Sequence, residues 1–525
     1  MKKNFTTLFF LMALFAKSQS VQWQQSLGGT SYEEAHSIQQ TADGGFIIAG
    51  QSISNDGDVT GNHGDYDYWI VKSDAAGTIQ WQESLGGTGY DAANSVQQTN
   101  DGGYIVAGES GSNDGNVSGN HGFSDYWVVK LNASGVIQWQ VSLGGSSSDI
   151  AHSIQQTADG GYIVAGESTS SNGDVTGHHS FSDYWVVKLN ASGTIQWEKS
   201  LGGSFGDYAQ SIQQTTDGGY IVAGYSESND GDVSGNHGSS DYWVCKLDAS
   251  GTIQWQKSLG GSALDMAYSI RQTSDGSYIV AGMSKSKNGN VTGHHGSSLY
   301  ADFWVVKLSS AGAIKWKKSL GGTNSDWAYS IGQTSDGGYV VAGYTNSIDG
   351  DVTGNHGGGG DDWVVKLTAA GIIQWQKSLG GSAYEYARSA QQTTDGGYII
   401  AGHSSSNDGD VSGHHGSTSV SDYWIVKLVV MINPVAQQNI LPGSSKVESK
   451  NSKIVIAPNP VHSVLHITGL SVIKNYELRI MDESGNVIMH ASIKNISSYD
   501  IDVSRLAKGI YYLHAGEEKM KFVKE

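Results

Sequence analysis

The chain repeats one arrangement of apolar and polar residues seven times between Val21 and Leu428, with a period of about 58 residues. A typical unit opens with Ile-Gln-Trp, continues with Leu-Gly-Gly, Ser-Ile-Gln-Gln and Asp-Gly-Gly, and ends with Tyr-Trp-Val-Val-Lys. Two series of tryptophans mark the units: Trp23, Trp81, Trp139, Trp197, Trp255, Trp316 and Trp375, then Trp69, Trp127, Trp185, Trp243, Trp304, Trp363 and Trp424. Short apolar runs at regular spacing predict a repeat architecture built from β-strands.

The polarity of these runs predicts four strands per unit. Across the first two units the strands are Ser37–Gln40, Phe46–Ala49, Tyr68–Lys72 and Thr78–Leu85. The first is polar, the next two are almost wholly apolar, as in strands buried on both faces, and the last alternates between apolar and polar residues. Asp-Gly-Gly at 43–45 supplies a hairpin turn. The unit therefore folds as an antiparallel meander with a polar inner edge.

Such a meander is typical of a propeller blade, whose polar inner strand lines a central channel. The repeats begin with a fourth-strand run and end with a third-strand run. Val21–Leu27 can therefore complete the last blade only by pairing with Asp422–Leu428, which would leave no open ends. We predict an all-β fold: a seven-bladed β-propeller of four-stranded blades over residues 21–428, closed by its terminal strands.

Three motifs carry a family resemblance. Leu-Gly-Gly-Ser, Asp-Gly-Gly-Tyr-Ile-Val-Ala-Gly and Asp-Tyr-Trp-Val-Val-Lys-Leu resemble the secreted bacterial β-propeller repeat family over residues 21–428. The resemblance implies the fold. It implies no particular activity, because proteins of one fold carry unrelated functions.

The amino terminus has the pattern of a secretory signal peptide, residues 1–18, with cleavage after residue 18 or 20. Lys2 and Lys3 precede the apolar stretch Phe9–Ala16, which is too short to span a membrane as a helix. No later stretch reaches that length, so we predict no transmembrane segment. The formal net charge of −19 argues against a nucleic-acid partner, because phosphate binding depends on clustered cations.

The composition changes after Leu428. Residues 429–453, which contain Pro442-Gly443, predict a linker, and residues 454–525 have the strand pattern of a small β-sandwich. Pro458-Asn459-Pro460, Lys508-Gly509-Ile510-Tyr511 and the basic last strand resemble the carboxy-terminal sorting domain (type A) of the Bacteroidetes type IX secretion system. The resemblance implies that residues 454–525 engage this secretion machinery, and that the protein is secreted or attached to the outer-membrane surface. An ordinary immunoglobulin-like accessory domain is the alternative.

The longest loop of each unit is a candidate cation site. In the first unit its centre is Asn55-Asp56-Gly57-Asp58, and aspartates two residues apart can present oxygen ligands to calcium. The candidate ligands are Asp56, Asp58, Asp230, Asp232, Asp349, Asp351, Asp408 and Asp410. Asparagine stands at several matching positions and no bidentate glutamate follows, so the alternative is a turn whose side chains bond backbone amides. No other cofactor is predicted.

Two further repeated residues have structural alternatives. A histidine recurs in every loop, from His63 to His415, but seven separated histidines cannot share a zinc ion, and we expect them to bond loop carbonyls. A carboxylate also precedes each inner strand: Glu33, Asp91, Asp149, Asp207, Asp265, Asp326 and Glu385. These carboxylates either form an acidic ring at a channel mouth or bond backbone amides where the chain crosses between blades.

Positions that differ between otherwise matched units are better candidates for ligand binding. They flank the alanine of the inner strand, and in the later units they are rich in aromatic residues. The candidate ligand contacts are Trp327, Tyr329, Tyr208, Tyr268, Tyr386 and Arg388. Aromatic side chains beside an arginine suit a sugar or a peptide. Drift at tolerant surface positions explains the same variation.

The sequence favours a secreted, non-enzymatic binding or adhesion scaffold for an unidentified extracellular glycan or protein. A lectin-like polysaccharide-binding module is the alternative. An enzyme that acts on polysaccharide ranks third, because no paired catalytic carboxylates, Gly-x-Ser-x-Gly or metalloprotease motif is visible.

Overall fold

The computed structural model describes residues 16–433, 455–457, 464–468, 475–482, 487–494, 498–503, 506–515 and 518–524. The chain divides into two compact units, Met1–Val435 and Ala436–Glu525. Residues 1–15 of the predicted signal peptide and residues 434–453 of the predicted linker lie outside the described residues. Residues 429–433 were predicted to belong to the linker, but they continue the last strand of the repeat region. Within the described residues, no helix is long and apolar enough to cross a membrane.

The first unit consists of four-stranded antiparallel sheets, one per sequence repeat. In each of the first six sheets the strands pair in chain order. Sheet one contains β2 (Glu33–Gln40), β3 (Phe46–Ser52), β4 (Asp67–Ser73) and β5 (Ile79–Leu85). Sheet two contains β6 (Asp91–Gln98), β7 (Tyr104–Ser110), β8 (Asp125–Leu131) and β9 (Ile137–Leu143), and sheet three contains β10 (Asp149–Gln156), β11 (Tyr162–Ser168), β12 (Asp183–Leu189) and β13 (Ile195–Leu201).

The next three sheets have the same order. Sheet four contains β14 (Asp207–Gln214), β15 (Tyr220–Ser226), β16 (Asp241–Leu247) and β17 (Ile253–Leu259). Sheet five contains β18 (Asp265–Gln272), β19 (Tyr278–Ser284), β20 (Asp302–Leu308) and β21 (Ile314–Leu320), and sheet six contains β22 (Asp326–Gln333), β23 (Tyr339–Thr345), β24 (Asp361–Leu367) and β25 (Ile373–Leu379).

Sheet seven joins the two ends of the repeat region. It contains β26 (Glu385–Gln392), β27 (Tyr398–Ser404) and β28 (Asp422–Asn433), and its fourth strand is β1 (Ala16–Leu27) from the start of the chain. Val21 pairs with Leu428, as the sequence predicts, and the pairing continues outward to Ala16 opposite Asn433. Cleavage of a signal peptide after residue 18 or 20 would therefore remove Ala16–Ser18 or Ala16–Ser20 from this pairing.

The core lies between the sheets, because the second and third strands of each sheet are buried on both faces. Neighbouring sheets form buried apolar clusters between them. In one such cluster, Ile105 and Tyr126 of sheet two pack against Val164 and Trp185 of sheet three. Sheets seven and one share such a cluster as well, in which Tyr423 of β28 packs with Trp69 of β4. The apolar second and third strands predicted from the sequence are thus the strands that fill the core.

A tyrosine–tryptophan contact repeats between neighbouring sheets. The Tyr126 ring centroid lies 4.6 Å from that of Trp185, and the Tyr126 hydroxyl donates a hydrogen bond of 2.9 Å to the Trp185 carbonyl. The same hydroxyl bond is made by Tyr68, Tyr184, Tyr242 and Tyr423. Phe303 makes the ring contact without a hydroxyl, and Asp362 stands at the matching place in sheet six, where burial raises its pKa well above the ordinary value.

The carboxy-terminal unit contains two antiparallel sheets around one core. The three-stranded sheet has β29 (Val455–Ala457), β30 (Val464–Thr468) and β33 (Ser498–Asp502). The four-stranded sheet has the order β32 (Val487–Lys494), β31 (Asn475–Met481), β34 (Gly509–Ala515) and β35 (Glu518–Lys524). Leu465, Ile480, Leu513 and Phe522 are buried in the shared core.

We expect the Tyr126→Phe substitution to lower the free energy of unfolding by about 1 kcal/mol, because it deletes one buried hydrogen bond and keeps the ring contact. Phe303→Tyr is the matched reverse change, since it offers a hydroxyl to the next sheet, and we expect it to be neutral or stabilising. Urea unfolding of the purified chain, followed by tryptophan fluorescence, measures both. Equal losses in the two variants would contradict the assignment of the stabilisation to the hydroxyl bond.

Candidate functional site

The first strand of every sheet in the repeat region carries a β-bulge next to its alanine. In sheet one the register against β3 shifts between Ala35 and Ser37, so that His36 is the extra residue. The extra residues of the other sheets are Asn94, His152, Gln210, Tyr268, Tyr329 and Arg388. A bulge changes the direction in which a side chain points. The variable position that the sequence singles out is therefore a repeated bulge.

A glycine on the second strand makes room for the bulge. A Cβ atom at Gly166 would lie 1.9 Å from the Ile150 carbonyl oxygen, a distance at which no side chain fits. Gly50 meets the Glu34 carbonyl at the same 1.9 Å. The Ala-Gly pair that recurs in every second strand thus has a steric cause, which is the close backbone approach at the bulge.

We define the bulge face as three positions per sheet. They are the residue before the alanine of the first strand, the bulged residue after that alanine, and the second-strand residue that pairs with the residue before the alanine. The second-strand members are Gln51, Glu109, Glu167, Tyr225, Met283, Tyr344 and His403. These second-strand residues were not among the candidates predicted from the sequence. They follow the Ala-Gly pair and vary between units, so the same comparison of matched positions could have found them.

Five of the six predicted ligand contacts form one continuous cluster in sheets five to seven. The Arg388 guanidinium carbon lies 4.5 Å from the ring centroid of Tyr329 and 5.9 Å from that of Tyr386. Tyr329 also contacts Tyr268, at 5.1 Å between centroids, and Trp327, at 6.5 Å. A guanidinium over an aromatic ring is an attractive cation–π arrangement. We call these five residues the aromatic–arginine cluster.

The sixth predicted contact, Tyr208, lies in sheet four and stacks instead on Tyr225, at 4.8 Å between centroids. Tyr386 is itself held between two rings, Tyr344 at 4.5 Å and His403 at 5.0 Å. Much of the aromatic surface is thus used within the protein. The ring stacks fix the geometry of the face more than they leave flat surfaces open.

Polar atoms in the aromatic–arginine cluster lack partners. Arg388 Nε and Trp327 Nε1 are buried and have no hydrogen-bond acceptor, and neighbouring His403 Nδ1 is also unpaired. Unpaired buried polar groups are rare in folded proteins, because each costs free energy when it loses water. Two N–H donors without acceptors, beside aromatic rings, form a place suited to an oxygen-bearing ligand.

The part of the bulge face in sheets one to three is acidic and histidine-rich. His36 Nε2 lies 3.6 Å from Glu34 Oε2, and His152 Nε2 lies 3.9 Å from Glu167 Oε2. Ser124 Oγ donates a hydrogen bond of 2.9 Å to Glu109. The face therefore has two parts of different chemistry, although the repeats that build it are nearly identical.

The ionisable groups of the bulge face have widely separated pKa values. Burial, together with the nearby charge of Glu109, raises the pKa of Glu167 to about 7. Burial would also raise the pKa of Glu34, but the hydrogen bond from His36 and the charges of His403, His36 and Arg388 lower it to about 2. Burial lowers the pKa of His403 to about 4. Near neutral pH, Glu34 is thus ionised, His403 is neutral and Glu167 titrates.

The loop aspartates that were candidate calcium ligands bond the chain itself. Asp56 accepts hydrogen bonds from the Thr30 amide at 2.8 Å and the Thr30 hydroxyl at 2.7 Å. Asp349 accepts the same pair of bonds from Thr323, and Asp230 and Asp408 each accept one from the matching serine amide. Asp58, Asp232 and Asp351 accept from the first glycine amide of Leu-Gly-Gly. Asp410 Oδ2 lies 3.8 Å from His356 Nε2.

These loops hold the crossover between sheets, as the turn alternative predicts. Hydrogen bonds from the Thr30 hydroxyl and amide lower the pKa of Asp56. Among the described residues, no group of three or more His, Cys, Asp or Glu side chains is placed to hold a metal ion.

The repeated histidines bond carboxylates, so the expectation that they bond loop carbonyls is wrong. His63 Nδ1 lies 2.6 Å from Asp67 Oδ2, and the His63 amide donates to the same oxygen. Each of the other loop histidines contacts the aspartate that opens the third strand of its sheet: Asp125, Asp183, Asp241, Asp302, Asp361 and Asp422. All seven aspartates are buried, so each needs a hydrogen-bond partner inside the protein, and the loop histidine is that partner.

The carboxylates before the inner strands are also buried and internal. Glu33 accepts a hydrogen bond of 2.8 Å from the Gly29 amide, and Asp91 accepts one of 2.8 Å from Gly87. The bond recurs in the other sheets, at the second glycine of Leu-Gly-Gly. Of the two alternatives left by the sequence, the structure has the backbone-bonding one, and these side chains do not form an open acidic ring.

The comparison with known families identifies the carboxy-terminal unit. Residues 455–525 match the family described as the secretion system C-terminal sorting domain. The chain carries a secretion sorting domain. This match confirms the resemblance seen in the sequence, and the protein is exported through the type IX secretion system to be secreted or attached to the cell surface. The two-sheet unit described above is the part of the chain that the secretion machinery handles.

The other similarities are weaker. The regulatory protein FlaEY of Caulobacter vibrioides is 26% identical over 190 residues, which cover 34% of this chain and 20% of that protein. The chain thus spans about a fifth of this curated relative. Sqt1 from Chaetomium thermophilum has a TM-score of 0.38 at 11% identity, and the match covers 73% of this chain and 83% of Sqt1. A member of the DUF4221 family from Bacteroides vulgatus has a TM-score of 0.34 at 10% identity, and the match covers 80% of this chain and 99% of that protein.

Millimolar calcium should leave the unfolding temperature of the purified chain unchanged to within about 1 °C, because the loop carboxylates already accept backbone bonds. EDTA should likewise have no effect. Differential scanning fluorimetry with and without each reagent measures this. A rise of several degrees with calcium that EDTA reverses would contradict the assignment of the loops as self-bonded turns.

The Glu167 carboxyl should make stability depend on pH. Its folded pKa of about 7 lies above the ordinary 4.5, so the folded state keeps a proton that the unfolded state loses. This group's contribution therefore falls as pH rises from about 4.5 to about 7, by about 1–3 kcal/mol. Urea unfolding of wild type and Glu167→Gln from pH 5 to 8 should show a shallower fall in the variant. Parallel curves would show that Glu167 is not the group responsible.

Proposed function

We propose that the repeat region is a closed seven-bladed propeller that acts outside the cell as a non-enzymatic binding scaffold, with the bulge face as its ligand surface. The observation that carries the proposal is the aromatic–arginine cluster, in which Arg388 Nε and Trp327 Nε1 are buried without acceptors. A ligand that supplies oxygen atoms there would satisfy both donors. The sorting domain brings such a surface to where extracellular ligands are found.

Two contacts support closure. β1 completes the sheet of β26–β28, so that the ends of the repeat region are joined by strand pairing. Tyr423 of sheet seven also donates to the Trp69 carbonyl of sheet one at 2.8 Å, the bond that elsewhere links consecutive sheets. A ring of this kind has no exposed sheet edge at its ends, which favours persistence in the extracellular medium.

A lectin-like role is the specific form of binding that the cluster favours. Sugars present hydroxyl oxygens to N–H donors, and the cluster offers two such donors without acceptors beside aromatic rings. The neighbouring acidic part, around Glu109 and Glu167, adds carboxylates that can accept from sugar hydroxyls. We therefore propose a polysaccharide as the ligand, with a protein ligand as the competing outcome of the test.

Binding to an array of bacterial and plant polysaccharides should weaken at least tenfold in Trp327→Ala and Arg388→Gln. Each substitution removes one N–H donor, so the complex loses about one hydrogen bond between protein and ligand. Lys257→Ala is the control, because Lys257 is exposed on the outer strand β17 and lies outside the bulge face.

Equal binding by wild type and both cluster variants would overturn the assignment of the surface. Capture of a defined protein but of no polysaccharide, lost in the same variants, would keep the surface and replace the ligand class. Cleavage of any bound polysaccharide, abolished in Glu167→Gln, would replace the scaffold by an enzyme.

A further inference from the structure

The first strands of all seven sheets surround a central cavity of about 440 Å³. The cavity is lined by serine, isoleucine and glutamine side chains that recur from sheet to sheet. Its lining residues all follow the bulge on their first strands, and no bulged residue belongs to the lining. Arg271 is the one charged side chain in its lining.

Glutamine side chains form a girdle around this cavity. The side-chain oxygen of Gln39 accepts a hydrogen bond of 2.6 Å from the Gln98 amide of the next first strand. Gln97, Gln155, Gln213 and Gln391 accept in the same way from Gln156, Gln214, Gln272 and Gln40. A first strand has no hydrogen-bonded strand on its cavity side. Its backbone amides on that side therefore need side-chain acceptors.

The girdle is broken at two consecutive positions. Arg271 of sheet five and Gly332 of sheet six stand where the other sheets have glutamine. A guanidinium accepts no hydrogen bond and glycine has no side chain. The amides of Gln333 and Gln392, which match those of Gln98 and Gln156, therefore have no side-chain acceptor among the described residues.

The break places one cation and two unmatched donors in the lining of a single cavity. Arg271 Nη1 donates to the Ile270 carbonyl at 2.7 Å and to Ser211 Oγ of sheet four at 3.1 Å. These bonds hold the guanidinium at the sheet-four side of its strand, and its Nε and Nη2 groups donate no further bond within the described residues. The unmatched amides follow on the next two first strands at the same level. Gly332 leaves space between them where a glutamine side chain would lie. No acidic side chain belongs to the lining of this cavity.

We propose that this sector of the central cavity binds a small oxyanion: a carboxylate, phosphate or sulfate group. The guanidinium supplies paired N–H donors in the geometry that such groups accept. The two backbone amides supply further donors, as in other anion sites built from main-chain N–H groups. The ligand replaces the acceptors that the two missing glutamines would provide.

The test is calorimetric titration of the purified full-length chain with sodium sulfate, sodium phosphate and sodium acetate at one fixed ionic strength. Binding of sulfate and phosphate but not acetate would assign a tetrahedral oxyanion, and preference for acetate would assign a carboxylate. The double variant Arg271→Gln/Gly332→Gln restores the girdle, and we expect it to bind at least tenfold more weakly while unfolding at a higher temperature without ligand.

Gln97→Gly is the matched control. It removes the acceptor of the Gln156 backbone amide between sheets two and three, which Arg271 does not contact, so the affinity for each anion should stay as in wild type. Unfolding temperatures of each variant show whether it is folded. Absence of binding of all three anions to wild type, or equal affinity in wild type and the folded double variant, would overturn the proposal.

Discussion

The structure of the repeat region depends on one constraint: each four-stranded sheet has two apolar faces and can cover neither by itself. Its middle strands are buried on both sides only because a neighbour packs on each, with Tyr126 against Trp185 as the typical contact. A unit of this kind is stable only in an array, and an array of such units exposes its two end sheets unless they meet. The shared cluster of sheets seven and one, and the pairing of β1 with β28, answer that requirement.

Many polar residues of the repeat serve the same constraint. The chain must cross from the outer strand of one sheet to the first strand of the next, and the crossing buries backbone amides that no strand can satisfy. Glu33 accepts from one of these amides, Asp56 from another, and Asp67 holds the loop through His63. Carboxylates and histidines that look like metal ligands in the sequence are thus the hydrogen-bond partners of the crossover.

The two proposed ligand sites lie where the repeats depart from one another. None of the bulged residues belongs to the buried apolar clusters between the sheets, so this position can vary from sheet to sheet. Sheets five to seven hold both departures discussed above: the aromatic–arginine cluster at the bulge and the interrupted glutamine girdle in the central cavity. The two lie on the same first strands, with Tyr329 three residues before Gly332.

The sequence by itself determined the strands and their burial, because the pattern of apolar and polar residues is local and recurs in every repeat. It also determined the sorting domain, because the motifs of that domain are local as well. It also singled out Tyr329 and Arg388, since variation at matched positions is visible in the chain. Only the tertiary structure decided that Arg388 lies over Tyr329 while Tyr208 stacks elsewhere, and that Glu109, Glu167 and His403 complete the same face. It alone showed that Arg271 and Gly332 open a gap beside Gln333 and Gln392. These are contacts between strands about 60 residues apart, and their distances are set by how one sheet packs on the next.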